Sequence, residues 1–221
     1  MKIGILTITH QSDELRPNGF ELVTKFVNSL SNIEYEYECV IIDNSSPNDI
    51  IIGNTKVIKI EDQTKYGYTG AMEIGSKYLI ENGADLVILN NDDLFYNKTI
   101  NNFIQNIINH PYKDISVFGP VSNGILGGVQ HHNQPTNQII ELTGNINNMV
   151  NGFMFAFTKE FYAKFQKSNG DLFNKEEFPW GGSEEEFQKR IWDLGGRSFV
   201  IGHCWVDHTK IRGWHVFAKK I

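Results

Sequence analysis

The feature that most limits the folds available to this sequence is an alternation of short apolar runs and helix-spaced stretches over residues 1–119. The predicted strands are Ile3–Thr9, Cys39–Ile42, Val57–Ile60, Leu86–Leu89 and Ile115–Gly119. Helical spacing lies between them, around residues 20–30 and over 70–81 and 99–108. Strands that alternate with helices predict an α/β fold, with a mostly parallel sheet covered by helices on both faces.

The second half of the chain has a less regular pattern. Residues 119–144 are rich in Gly, Asn, Gln and His, and they predict a long loop with a short strand at Ile139–Leu142. An apolar run at Met149–Phe157, a helix at Ser183–Leu194 and a strand at Arg197–Ile201 follow. We find no internal repeat and no linker composition, so the 221 residues are expected to form a single domain.

Composition argues against several classes of protein. A formal net charge of −6 disfavours a nucleic-acid binder with a basic surface. The sequence has no run of about 18 apolar residues, so no membrane span is expected. Its first nine residues are too short and too regular for a signal peptide, which favours a soluble, cytoplasmic protein. Cys39 and Cys204 are expected to be free thiols.

Polar clusters follow three of the predicted strands, at Thr7–His10, Asp43–Ser45 and Asn90–Asp93. In open α/β sheets ligands bind beyond the carboxyl ends of the strands, so the three clusters are expected to share one rim. The acidic turn at 90–93 offers hard oxygen ligands for Mg2+ or Mn2+, which need few protein carboxylates when substrate phosphates supply other ligands. The alternative is a solvated turn whose Asx side chains cap the helix at Thr99.

A second acidic segment, Ser183–Glu186, opens the predicted C-terminal helix. Ser183 and Glu186 match a capping box, and Glu186 can pair with Arg190 one turn later. The helix dipole also favours glutamates in a first turn, but these structural roles explain Glu184 and Glu185 less fully, because both follow the aromatic and glycine-rich loop 178–182. A carboxylate at this position can act as a general base on a hydroxyl.

Two further segments are weaker candidates. His208 follows the last predicted strand, where it would complete a metal site or serve a structural role, and Lys210 and Arg212 would screen a diphosphate. Gly67–Gly70 precedes a helix, where backbone N–H groups can approach a ligand. The sequence contains no P-loop, no Gly-x-Ser-x-Gly elbow and no Cys-x-x-Cys pair.

In order and spacing, these segments resemble the family-2 glycosyltransferases with the GT-A fold over nearly the whole chain. The matching segments are Ile3–His10, Val40–Ser46, Lys65–Ala71, Leu89–Asp93, Asn151–Met154, Gly182–Arg190 and His208. Asn90 departs from the family by replacing the first aspartate of the Asp-x-Asp motif, and Glu73 stands where asparagine is common. Alignment on Arg190 places Glu184 at the catalytic base, whereas a slip of one residue selects Glu185.

The resemblance implies a Rossmann-like GT-A sheet, mostly parallel but mixed, with residues 1–119 binding the nucleotide-sugar and 120–221 binding the acceptor. It implies donor contacts at Thr7, Thr9, Asp43, Lys65, Gly70, Asn91 and Asp92. Mn2+ or Mg2+ would be held by Asp92 as the principal ligand, with Asp93 and His208 as further candidates. The sugar and acceptor rim would be Gly152, Trp180 and Gly182, and Lys210 and Arg212 would close over the diphosphate.

The activity implied by the resemblance is inverting transfer of a sugar from a nucleoside-diphosphate donor, with UDP favoured, to a hydroxyl of a glycan or glycoconjugate. A sugar nucleotidyltransferase is one alternative, although its usual glycine-rich basic signature near the N-terminus is missing. A catalytically silent sugar-nucleotide-binding module is another, because Asn90 replaces an acidic residue. The expected partners are the donor and the acceptor, with no nucleic acid, and both a monomer and a homodimer are compatible with the sequence.

Overall fold

A computed structural model describes residues 1–14, 16–124, 128–142 and 148–208, apart from the side chains of residues 63 and 64. The strands of this described part are β1 (Ile3–Thr9), β2 (Tyr37–Asn44), β3 (Lys56–Ile60), β4 (Leu86–Asn91), β5 (Leu94–Phe95), β6 (Ser116–Ser122), β7 (Ile139–Leu142), β8 (Met154–Thr158) and β9 (Arg197–His208). Its α-helices are α1 (Gly19–Ser29), α2 (Gln63–Glu81), α3 (Thr99–Ile108), α4 (Lys159–Phe165) and α5 (Ser183–Asp193).

The strands form one mixed sheet in the order β3-β2-β1-β4-β8-β6-β9-β5, with β7 added to β9. β1 pairs in parallel with β2 and β4, β3 extends this parallel block, and β6 pairs in parallel with β9. Only β5, β7 and β8 run in the opposite direction within the described part of the chain. The predicted mostly parallel mixed sheet is therefore confirmed.

Two helical layers cover the sheet, and the alternation of side chains decides which layer each residue meets. On one face Ile3 and Ile5 pack in a cluster with α1 and α3. On the other face Leu6 and Ile8 pack in a cluster with α2, α4 and α5. The central strands are buried on both faces, which explains why they read as continuous apolar runs.

The same alternation separates the two asparagines at the end of β4. Asn90 follows Leu86 and Ile88 onto the face of α1 and α3, whereas Asn91 continues the row of Val87 and Leu89 on the face of α2 and α5. The Asn90 and Asn91 side chains therefore enter different environments, although they are neighbours in sequence.

A kink at Gly67 divides α2, which the sequence predicted to begin only at Gly70. Gly67 has φ 60° and ψ −165°, and a Cβ atom there would lie 2.1 Å from the carbonyl oxygen of Pro179. Just after the kink, the Thr69 amide donates a hydrogen bond of 3.0 Å to that same oxygen. The kink therefore allows loop 178–182 to pack directly against α2.

Three features at the ends of elements differ from the predictions. β5 and α4 are additional elements, and β9 continues past Ile201 to His208. β9 continues because its register with β6 shifts, with Ile201 opposite Pro120 and Trp205 opposite Val121. The final residues of β9 then pair with Ser122 and with β5, contacts that local periodicity does not reveal.

The predicted capping box at the start of α5 is wrong. The N-cap is Gly182, in a left-handed conformation with φ 77°, and no side chain caps the helix. Ser183 is the first helical residue, and its hydroxyl lies 3.4 Å from the Glu184 carboxylate. Glu186 instead forms the predicted ion pair with Arg190 at 2.8 Å, which leaves Glu184 and Glu185 outside the helix's internal pairing.

Of the helices in the described ranges, none combines the length and the apolar character needed to cross a membrane.

Candidate functional site

A cavity of about 490 Å³ opens beside the carboxyl end of β4, on the face of α2 and α5. Its walls come from α2, the end of β4, the residues just after β6, β8 and the segment before it, loop 178–182, α5 and the end of β9. The lining residues are Tyr68, Met72, Asn91, Gly124, Asn151, Gly152, Phe153, Phe155, Trp180, Gly181, Gly182, Glu184 and His208. Six residues selected from the sequence are among them, namely Asn91, Gly152, Trp180, Gly182, Glu184 and His208.

Glu184 lies half-buried in the cavity wall, whereas Glu185 is exposed and does not line the cavity. The rotation of α5 causes this difference. Gln188 sits one turn after Glu184 and binds both backbone groups of Val150, at 2.8 Å and 2.7 Å. That pair of hydrogen bonds turns the Glu184 side of the helix towards the cavity.

The segment before β8 leaves room for the Glu184 carboxylate. A Cβ atom at Gly152 would lie 2.9 Å from Glu184 Oε1, so any larger residue would displace the carboxylate. Gly152 was selected from the sequence as part of the sugar and acceptor rim, and it lies directly against the candidate base.

Tyr68, which the sequence singled out only as part of a glycine-bearing turn, connects α2 to the acidic turn. Its hydroxyl donates a hydrogen bond of 3.0 Å to the Asn91 side chain. Burial raises the pKa of Tyr68, and the charges of Glu184, Asp92 and Asp93 raise it further. The phenol therefore stays protonated and remains a hydrogen-bond donor beside three carboxylates.

Asp92 is fully buried beside the cavity, and both of its carboxylate oxygens are engaged. Thr9 Oγ1 donates to Oδ2 at 2.6 Å, and the Arg16 guanidinium forms an ion pair with Oδ1. Burial raises the pKa of Asp92, and the charge of Arg16 and the hydrogen bond from Thr9 act in the opposite direction. Asp92, the predicted principal metal ligand, is therefore paired with the Arg16 guanidinium.

Asp93 lies beside His208, with 3.3 Å between Oδ1 and the histidine Nε2. The imidazole of His208 stacks on Phe153 at a centroid distance of 5.4 Å. It also packs against Gly124, where a Cβ atom would lie 2.3 Å from the histidine side chain. The backbone amide of His208 donates to Asn123 Oδ1 at 3.1 Å. The structure thus brings together two of the three predicted metal ligands, one of them in the cavity wall.

The polar ends of β1 and β2 lie side by side, as the shared rim requires. Thr9 is in register with Asp43, and Thr7 Oγ1 donates to the Asn90 carbonyl at 3.3 Å. Asp43 accepts a hydrogen bond from the Ser46 amide at 3.0 Å through Oδ1, while its buried Oδ2 has no hydrogen-bond partner. Oδ2 of Asp43 is therefore a buried acceptor that a bound ligand can satisfy.

Other predicted site residues lie away from the cavity. Lys65 is exposed, with Nζ 5.1 Å from the centre of the Tyr66 ring, and Gly70 is buried within α2 against the same tyrosine. Lys210 and Arg212 fall outside the described residues.

The alternative role of the acidic turn as a cap for α3 is wrong. The side chain that accepts the Thr99 amide hydrogen bond, at 2.8 Å, is that of Asn97. Asp92 and Asp93 face Arg16 and His208 instead.

Asn90 has a structural role that an aspartate cannot fill. Its amide nitrogen donates to the carbonyls of Leu6 and Ile88, each at 3.2 Å, and its oxygen accepts from the Tyr96 hydroxyl. Tyr96 belongs to the cluster on the face of α1 and α3, opposite the cavity. The residue that departs from the Asp-x-Asp pattern therefore stabilises the junction of β1 and β4.

We expect Asn90→Asp to lower the free energy of unfolding by about 1–3 kcal/mol, because an ionised carboxylate cannot donate to the two strand carbonyls and is itself a buried charge. Chemical denaturation at neutral pH measures this change. Asn91→Asp, at the partly exposed cavity wall, is the matched control and should cost clearly less. Equal losses for the two variants would contradict the structural role of Asn90.

The residues suited to a divalent cation form a partial site. Within the described ranges, no group of three or more His, Cys, Asp or Glu side chains is placed to hold a metal ion. Asp93 and His208 are adjacent and can supply two ligands, and a substrate diphosphate with waters can supply the others. Asp92 does not fit as a ligand while Arg16 occupies its carboxylate.

Several solved structures have the same architecture as this chain. GalNAc-T7 solved with UDP, GalNAc and Mn2+ superposes with a TM-score of 0.68 and 15% identity, over 97% of this chain and 45% of that chain. S. aureus TarS 1–349 with UDP-GlcNAc gives 0.65 and 16%, over 97% and 61%. The same protein with UDP gives 0.65 and 18%, over 94% and 60%. The chain has the GT-A fold.

This GT-A chain spans 45% of the length of the GalNAc-T7 chain and about 60% of the TarS 1–349 chain. No protein-family model matches its sequence, and the search of curated proteins finds no match. The fold is therefore established by structure, at identities of 15–18%.

Arg16 is a charged residue beside the site that the sequence patterns did not select. It lies between β1 and α1, a connection that leaves the carboxyl edge of the sheet. In open α/β sheets ligands bind beyond the carboxyl ends of the strands, so the position of Arg16 just after β1 is the signal that points to it.

Proposed function

We propose that this protein is an inverting glycosyltransferase that moves a sugar from a nucleoside-diphosphate donor, with UDP favoured, to a hydroxyl of a glycan or glycoconjugate. The observation that carries this proposal is the position of Glu184, half-buried in a cavity of about 490 Å³ beside the carboxyl end of β4 in a GT-A fold. Similar structures solved with UDP and with UDP-GlcNAc support the choice of nucleotide.

Glu184 is the proposed general base. Its carboxylate takes the proton of the acceptor hydroxyl while that oxygen attacks the anomeric carbon of the donor. The new glycosidic bond forms as the bond from the anomeric carbon to the diphosphate oxygen breaks, and the nucleoside diphosphate leaves. Gly152, which lies against the carboxylate, gives the acceptor access to the base because it has no side chain.

The donor is proposed to extend from the β1–β2 edge into the cavity. Asp43, Thr7 and Thr9 lie at the nucleoside end, and the free acceptor Oδ2 of Asp43 supports its role there. Trp180 and Gly182 line the cavity, where an indole can pack on a sugar ring. Lys65, Gly70, Lys210 and Arg212 remain further proposed contacts of the donor.

We also propose a divalent cation, Mn2+ or Mg2+, with Asp93 and His208 as the protein ligands already in place. When bound, such an ion would offset the charge of the departing diphosphate. The presence of Mn2+ in the GalNAc-T7 structure supports this choice. Asp92 remains a proposed ligand only for a state in which Arg16 has left its carboxylate.

The alternative of a catalytically silent sugar-nucleotide-binding module depends on Asn90, which stands in place of an acidic residue. Asn90 faces away from the cavity, so an asparagine at this position in place of an aspartate leaves Glu184 and the cavity walls intact. The geometry therefore favours the enzyme over the silent module.

A thermal-shift panel of nucleotide sugars, with Mn2+ and with EDTA, tests the donor. A ligand at 100 times its Kd stabilises the native state by about 2.7 kcal/mol, which corresponds to roughly 5–10 °C for a chain of this size. We expect a UDP-sugar with Mn2+ to give the largest shift. Asp93→Asn should remove only the Mn2+-dependent part of it. No shift with any nucleotide sugar, with or without the metal, would contradict the proposal.

A further inference from the structure

We propose that Arg16 is a resident cation of this site, and that its guanidinium and a divalent cation are mutually exclusive partners of Asp92. The role assigned to this exclusion depends on the proposed function, because it concerns how the charge of the donor diphosphate is balanced. Its geometry and its test need no donor.

The ion pair between Arg16 and Asp92 is buried. Their side chains are 3% and 1% exposed, and the guanidinium meets Oδ1 while Thr9 Oγ1 donates to Oδ2 at 2.6 Å. A Mg2+ ion binds a carboxylate oxygen directly, at about 2.0–2.1 Å and in near-octahedral geometry. Thr9 and Arg16 each take one acceptor position of the carboxylate, and the rest of the Asp92 side chain is shielded from solvent. A metal ion therefore reaches Asp92 directly only if the residues that cover it move, and Arg16 is the one that pairs with Oδ1.

Arg16 also balances the acidic cluster around the cavity. Glu184, Asp92 and Asp93 all act on Tyr68 in the direction that raises its pKa, and Arg16 acts in the opposite direction. Arg16 is therefore close enough to influence the same group. The described residues that line the cavity include no Lys or Arg. The positive charge that offsets these carboxylates comes from Arg16, which is not itself a lining residue.

Simultaneous binding of both cations to Asp92 is unfavourable. Two positive charges on one buried carboxylate repel each other strongly, because the surroundings screen them poorly. A diphosphate changes this balance, since its oxygens can accept the Arg16 guanidinium in bidentate geometry and also bind the metal. We therefore expect metal to bind Asp92 together with the donor and not before it, with Arg16 as a positioning residue.

The test is calorimetric titration of Mn2+ into the nucleotide-free protein. Arg16→Gln should bind Mn2+ at least tenfold more tightly than the wild type, because it exposes the Asp92 carboxylate. The double variant Arg16→Gln/Asp92→Asn should return to the weak wild-type affinity. Arg16→Lys, which keeps the charge, should stay close to the wild type. Asp93→Asn shows how much of the wild-type affinity comes from the pair of Asp93 and His208.

Equal Mn2+ affinity in the wild type and Arg16→Gln would overturn the inference. A second comparison, of the wild type with Asp92→Asn, retains Arg16 in the sequence and provides an independent test if Arg16→Gln does not fold. Unchanged Mn2+ affinity supports exclusion of the metal by Arg16, whereas a tenfold loss shows that the metal reaches Asp92 despite it. Both comparisons omit nucleotide, so a failure of the donor proposal in the thermal-shift panel stays distinguishable from a failure here.

Discussion

Glu184→Gln is expected to lower turnover by about 10²–10⁴-fold, because the amide cannot accept the proton of the acceptor hydroxyl. Glutamine keeps the size and polarity of glutamate, so the cavity, loop 178–182 and the donor contacts should be preserved. Donor affinity, measured calorimetrically with the nucleotide sugar or with UDP, should therefore stay close to that of the wild type. The loss should appear in kcat and in kcat/KM for the acceptor together, as for an interaction made in the transition state.

The chain provides a matched control for this experiment in the neighbouring residue. Glu185 is exposed and does not line the cavity, so Glu185→Gln removes the same charge from the same helical turn without altering the proposed base. Its turnover should remain near the wild-type value. A large loss for Glu185→Gln with little change for Glu184→Gln would reassign the base. Full activity in both variants would remove the general-base role from α5.

The sequence could not separate these two glutamates because the answer depends on a long-range contact. Helical periodicity places Glu184 and Gln188 on one side of α5, but it does not say which side faces a ligand. The orientation is set by the two hydrogen bonds between Gln188 and Val150, one donated by each residue, although the two are distant in sequence. The predicted alignment on Arg190 selected Glu184, and the geometry around Gly152 supports that selection.

The central strands were predictable for a physical reason. β1 and β4 are buried on both faces, so their apolar runs are uninterrupted and their polar ends stand out. β5 was not predictable, because its two residues form a strand only through pairing with Asp207 and His208. The role of Arg16 was not predictable from periodicity either, since a buried ion pair between a loop and a distant turn produces no periodic pattern in the sequence.

The sequence indicated a glycine-bearing turn at Gly67 but not the kink in α2. The close packing at this kink makes Gly67 sensitive to substitution. We expect Gly67→Ala to lower the free energy of unfolding by roughly 3–5 kcal/mol, through strain at φ 60° and through overlap with the Pro179 carbonyl. The new Cβ would lie 2.1 Å from that oxygen, which is backbone and cannot rotate away. Thermal unfolding should show a decrease on the order of 10 °C.

Gly53 is the comparison without a close approach, because it also has a positive φ, of 51°, but has nothing within 4 Å of its added Cβ. Gly67 differs in backbone as well, since φ 60° with ψ −165° is a conformation that essentially only glycine adopts. Gly53→Ala should cost only the left-handed strain, about 1–2 kcal/mol. An equal loss in both variants would mean that the approach of Pro179 contributes nothing. If the approach matters, loop 178–182 must move in Gly67→Ala and carry Trp180 and Gly182 away from the cavity. The variant that still folds should then bind the nucleotide sugar more weakly, whereas Gly53→Ala should bind it like the wild type.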